Sequence, residues 1–289
     1  MQGRKITGLK HGRKQFVLIP MMVALALTAG CSGEGVEKDR PLESYSAEEI
    51  YKQAEYKLET NKKTKEATKL FGEVERLYPY SEWAKRALIM QAFSYHKGKD
   101  YENSRAAAQR FIDYYPADED AAYAQYLLAI SYYDQIDDVG RDQGLTFQAL
   151  QALRTVIERY PDSEYARSSI LKVDLAFDHL AAKEMEIGRY YLSRGNFSAS
   201  VNRFRVVVEE FQTTSHTAEA LHRLVEAYLS LGLDTEAQTA GAILGHNFKS
   251  TVWYQDSYKL LAGRGLEMKS RGNNWLSKVY RQMIKGQWL

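Results

Sequence analysis

The chain has a single cysteine, Cys31, among its 289 residues, so it can form no internal disulfide, and a folded body must be held by packing. It has only five prolines, and three of them follow a tyrosine, at Tyr78-Pro79, Tyr115-Pro116 and Tyr160-Pro161. These read as punctuation between helices. The first fifteen residues contain no acid but carry Arg4, Lys5, Lys10, Arg13 and Lys14. No apolar run reaches the roughly 20 residues of a membrane span; Phe16 to Leu27 is short and interrupted by Pro20. No segment alternates with a strand period for long, which removes the basis for a sheet. The histidines, His11, His96, His179, His216, His222 and His246, include no His-Glu-x-x-His and no same-face pair four residues apart; the zinc patterns are missing. The acidic loop Asp134 to Asp142 has Ile136 and Val139 where a calcium loop needs an acid and a glycine, and Leu145 replaces the terminal glutamate. These absences predict no enzyme, no metal and no cofactor.

What is present begins with the leader. A basic start, a short apolar run and the small residues Thr28, Ala29 and Gly30 before Cys31 form a cleavable export signal over residues 1–30. The run Leu27-Thr-Ala-Gly-Cys31 resembles the lipobox of bacterial lipoproteins, with Thr28 where leucine is usual. That resemblance implies lipidation of Cys31 on its thiol and new amine, and Ser32, which is not aspartate, implies sorting to the outer membrane. The alternative is an ordinary thiol beside a secretory signal. One acyl chain binds a membrane reversibly, at roughly 10⁴ M⁻¹, whereas several hold it. Removal of the five basic leader residues takes the formal charge from +2 to −3, and no global case for nucleic-acid binding remains.

Residues 31–45 are polar and glycine-rich, a lipidated tether with a reach of roughly 20 Å. Ser46-Ala-Glu-Glu49 then has the spacing of a helix capping box. Beyond it, apolar residues recur with helical spacing, as in Leu150, Leu153, Val156, Ile157 and Tyr160, or Phe197, Val201, Phe204, Val208 and Phe211. Each such run closes at a Tyr-Pro, or at Phe211-Gln212. Two junctions continue alike, as Ser81-Glu-Trp-Ala84 and Ser163-Glu-Tyr-Ala166. Pro79 to Pro116 is 37 residues, close to the roughly 34 of a tetratricopeptide helix pair. Small and aromatic positions recur as that repeat requires, Gly188, Tyr191, Gly195, Phe197, Ser200 and Phe204 in one unit and Leu221, Leu224, Tyr228, Gly232 and Ala237 in the next.

The expected fold is therefore all-α, a right-handed α-solenoid of about five tetratricopeptide (TPR) helix pairs over residues 46–250, starting near residues 46, 81, 118, 163 and 215. Two intervals run long: one fits a polar loop near Asp134 to Thr146, the other a long or additional helical segment around Leu175 to Glu186. Residues 251–289 form a tail in which Leu276, Val279, Tyr280, Met283 and Ile284 make a stripe, flanked by Trp275, Trp288, Lys278, Arg281 and Lys285. Such a helix caps the open end of a solenoid, or lies on lipid or a partner.

Lipobox, tether and repeats with Tyr-Pro-x-Ser-Glu-[Trp/Tyr]-Ala junctions, together with Phe177-Asp-His-Leu-Ala-Ala-Lys-Glu184, Tyr190-Tyr191 and Val201-Asn-Arg-Phe204, resemble the BamD (ComL, YfiO) family of outer-membrane assembly lipoproteins. The resemblance implies a non-enzymatic subunit of the β-barrel assembly machine, held at the periplasmic face of the outer membrane. It implies as partners BamA, the other assembly-machine lipoproteins and unfolded outer-membrane β-barrel proteins. It also implies that Asn202 and Arg203 contact BamA, with a surface arginine as the alternative reading. A TPR lipoprotein scaffold serving peptidoglycan synthesis or pilus-secretin assembly is the competing function.

From the repeat register alone, the first helix of each pair lines the inner face of the solenoid, which places Tyr56, Arg86, Phe93, His96, Tyr123, Tyr126 and Tyr133 there. Rings beside a guanidinium suit an extended peptide that ends in an aromatic residue and a carboxylate. The competing reading is that these rings pack between repeats.

Overall fold

A computed structural model describes residues 41–60, 63–270 and 275–285. The chain divides into two compact units, residues 1–44 and 45–289. Of the first, only residues 41–44 are described, a 3₁₀ turn over Leu42–Ser44 with the Ser44 N–H donating to the Pro41 carbonyl. Cys31, the leader and most of the expected tether lie outside the described residues, as does Trp288.

The second unit is helical throughout, with no strand among the described residues. Antiparallel pairs follow one another: α1 (Ala47–Glu59) with α2 (Thr64–Leu77), α3 (Glu82–Lys97) with α4 (Tyr101–Tyr114), α5 (Ala121–Tyr133) with α6 (Gly144–Arg159), α7 (Glu164–Ser193) with α8 (Phe197–Glu210), and α9 (Thr217–Ser230) with α10 (Asp234–Asn247). Then come α11 (Val252–Ala262) and α12 (Trp275–Lys285). From α1 to α10 each helix packs chiefly on its chain neighbours, whereas α11 lies mostly on α9 and α12 on α10; this is the all-α solenoid.

The punctuation is physical. Ser46 and Glu49 form a reciprocal capping box at α1. The hydroxyls of Ser81, Ser163 and Thr251 accept the backbone N–H three residues on, opening α3, α7 and α11. The helices before them stop at Tyr78, Tyr160 and Phe248, and α4 and α8 stop likewise at Tyr115 and Phe211, all with φ between −133° and −125°. At each stop the cap N–H still donates to the carbonyl four residues back, on Val74, Phe111, Val156, Val207 or Leu244. Those five side chains are fully buried, so one register fixes both the helix end and the core.

The α5–α6 loop is shorter than its polar composition suggests. It ends at Gln143, and Thr146 is buried inside α6, donating from Oγ1 to Gln143 Oε1. The long fourth interval is one continuous helix: α7 spans 30 residues, against 13 to 16 for α1, α3, α5 and α9. Gly188 lets α8 close on it, since a Cβ there would stand 2.4 Å from the Phe204 ring. Gly195, at φ +74°, makes the turn into α8.

At the C-terminal end, α12 lies on α10 and buries Leu276 and Val279 in the core that Leu244 and Leu261 share. Trp275 Nε1 donates to the Tyr228 hydroxyl at 3.2 Å, and the Arg205 guanidinium lies 4.9 Å from the Trp275 ring.

Candidate functional site

Successive first helices touch one another, α1 with α3, α3 with α5, α5 with α7 and α7 with α9, while the second helices make no comparable contacts. A stack whose first helices approach closest curves around them. The inner face is therefore made by α1, α3, α5, α7 and α9, and the expected groove residues sit on the first three.

They divide into two rows. Toward the helix starts, Tyr51 of α1 contacts Trp83 of α3, ring centres 5.1 Å apart, and Arg86 stands 5.2 Å from the Trp83 ring. Tyr123 and Tyr126 of α5 flank Tyr165 of α7 at 5.2 and 5.3 Å. Burial, the neighbouring phenols Tyr165 and Tyr126, and the Asp120 carboxylate push the Tyr123 hydroxyl up to about 12. Burial also raises Tyr51 and Tyr165, with Asp120 adding to both. These phenols stay neutral at any physiological pH, offering rings and uncharged hydroxyls, and Arg86 supplies a cation beside them. Asp118, which opens the turn into α5, is held below the usual carboxylate range by the Asp120 N–H and by Lys85 of α3 at 2.9 Å.

Toward the helix ends, Tyr56 is exposed. His96 Nε2 lies 3.1 Å from Asp134 Oδ2 and its ring meets Tyr101 edge-on at 5.4 Å. Phe93 is half-buried against the core of the second pair, with the Lys97 ammonium 5.8 Å from its ring. Tyr133 packs among Leu150, Leu153 and Val173 between the third and fourth pairs, with the Lys172 ammonium 5.3 Å from its ring. Tyr51, Trp83 and Tyr165 belong to the same face and were missed by register counting. For Trp83 and Tyr165 the signal was the aromatic residue two after the junction serine, in Ser81-Glu-Trp83 and Ser163-Glu-Tyr165; Tyr51 carries no such signal.

Farther along the inner face, Arg189 bonds Glu219, and Arg223 bonds both Glu219 and Glu226; Arg189, Arg223 and Glu226, with Leu192, Phe197 and Ser230, line a cavity of about 450 Å³. His222 is buried beside it, Nδ1 2.9 Å from Ser257 Oγ, and burial holds it below the usual imidazole range. Arg203 of α8 bonds Glu184 of α7 at 3.1 Å, and Asn202 is exposed. No helix among the described residues is long and apolar enough to cross a membrane, and no group of three candidate metal ligands occurs among them.

Residues 43–243 match a family model described as an outer membrane lipoprotein, YfiO. A relative from Caulobacter vibrioides, named outer membrane protein assembly factor BamD, is 46% identical over 256 residues, 89% of this chain and 83% of its own length. One of the same name from Rickettsia prowazekii is 44% identical over 69% of this chain and 80% of its own length. Another from Neisseria meningitidis is 29% identical over 84% and 95%.

Proposed function

The chain belongs to the BamD (YfiO) family of outer-membrane lipoproteins, and from that premise we propose how it serves as an outer-membrane protein assembly factor. Its inner face receives the C-terminal segments of unfolded β-barrel proteins, Asn202 and Arg203 engage BamA, and lipidated Cys31 holds it at the periplasmic face of the outer membrane beside the other lipoproteins of the machine. The work is binding, without catalysis. The observation that supports this most is the strip formed by Tyr51, Trp83, Tyr123, Tyr126 and Tyr165 across four first helices, with Arg86 over the Trp83 ring. An extended chain crossing the strip can lay alternate aromatic residues on rings and set its terminal carboxylate on Arg86.

A peptide ending in an aromatic residue and a free carboxylate, carrying a photoreactive group, tests the groove. Adducts should map to α1, α3, α5 and α7, and Arg86→Ala should lower their yield about tenfold, the loss of one charge-assisted contact of about 1.5 kcal/mol. Adducts confined to α2, α4 and α6 would defeat the reading. The anchor is tested separately: Cys31→Ala should leave the membrane fraction after high-salt and carbonate washing, and a variant that stays membrane-bound would show that lipid on Cys31 is not what holds it.

A further inference from the structure

The 30-residue helix α7 serves two neighbours in turn. Its N-terminal half packs on α5 and α6, through Tyr165 and through Phe177, which lies 5.4 Å below the Arg154 guanidinium. Its C-terminal half packs on α8, through Gly188 against Phe204 and Glu184 with Arg203. Because α8 doubles back for only 14 residues, it reaches no farther than Phe177, which meets Phe211 at the end of α8 at 5.9 Å, and leaves the first turns of α7 uncovered. Where a regular pair has its second helix, α7 is left with an open flank.

That flank carries a distinct side-chain set. At about 100° per residue, Arg167, Ile170, Leu171, Asp174, Leu175 and Asp178 fall within about 140° of arc. Ile170, Leu171 and Leu175 are 48%, 67% and 60% exposed, whereas α3, α5 and α9 expose no large apolar residue at all. Asp178 is already used, accepting from the Ser215 N–H and hydroxyl. Arg167 and Asp174, two turns apart, are exposed and make no ion pair among the described residues. The result is an apolar ridge on Leu171 bracketed by one free cation and one free anion.

We propose that this flank of α7 is a docking site for an amphipathic helix of a partner protein, a surface separate from the inner groove and from Arg203. The backbone of α7 is satisfied within the helix, so no strand can add to it, and a ridge of this length is covered best by another helix. The occupant needs apolar residues at helical spacing to cover Ile170, Leu171 and Leu175. It also needs an acid and a base about two turns apart to meet Arg167 and Asp174.

The test uses the full lipidated chain in its own membrane, with a photoreactive phenylalanine at position 171 and, as control, at the exposed position 148 of α6. Adducts at 171 should exceed those at 148 about tenfold, and the captured segment should be an amphipathic helix bearing that acid and base. The double reversal Arg167→Asp with Asp174→Arg should cut the yield by a similar factor, and reversing the acid and base in the captured segment should restore it. These side chains are exposed, so circular dichroism should confirm an unchanged fold. The proposal fails if position 171 captures a second copy of this chain, an extended segment or nothing above control, or if charge reversal leaves the yield unchanged.

Discussion

Arg203 is engaged within its own chain, its Nη1 3.1 Å from Glu184 Oε2, and the same side chain remains partly open to solvent. An exposed pair of this kind contributes about 0–1 kcal/mol to folding, so its loss leaves the solenoid intact. A buried contact to a carboxylate on BamA would contribute about 2 kcal/mol or more, roughly thirtyfold in affinity. Arg203→Glu should therefore lower recovery of BamA in detergent while its urea midpoint stays near wild type. The exchange Glu184→Arg with Arg203→Glu keeps the internal pair and still inverts the charge offered outward. If that exchange recovers BamA fully, the pair is structural and Arg203 is no interface residue.

Among the helices, the junctions decide most of the architecture. Ser163 holds the Ala166 N–H at 3.1 Å and donates to the Tyr160 carbonyl at 2.7 Å, fixing both the end of α6 and the start of α7. Ser163→Ala should cost about 1 kcal/mol, read as a lower urea midpoint with an unchanged slope; an unchanged midpoint would mean that proline alone sets the turn. Where proline marks a junction it was legible in the sequence, because Tyr78, Tyr115 and Tyr160 cannot continue a helix into it. The last junction has no proline, yet Phe248 and Thr251 repeat the stop and the cap. Recognising it needed the hydroxyl cap and the aromatic Trp253 two residues later. The continuity of α7 was hidden for a related reason: Leu175 to Glu186 carries helical spacing whether the chain turns or runs straight.

At the scale of the whole molecule, the packing of rings along the inner face was only half legible. Tyr123 and Tyr126 were placed on the inner face by register, but register cannot say that Tyr133 fills the space between two pairs while Tyr56 stands free, since that depends on how far neighbouring helices slide. The C-terminal end makes the same point about stacking. A solenoid ends on an apolar helix unless something covers it, and α12 covers α10 by burying Leu276 and Val279 completely or nearly so. Burying two such side chains contributes about 1.5–3 kcal/mol each, and Trp275 adds its bond to Tyr228. Deleting the chain from residue 266 onward should therefore expose Ile243, Leu244 and Leu261 of the shared core, lower the melting midpoint and cause concentration-dependent association measurable by light scattering. A truncated protein that stayed monomeric with an unchanged midpoint would show that α12 does not seal the stack, and would shift its role to docking on a partner or on lipid.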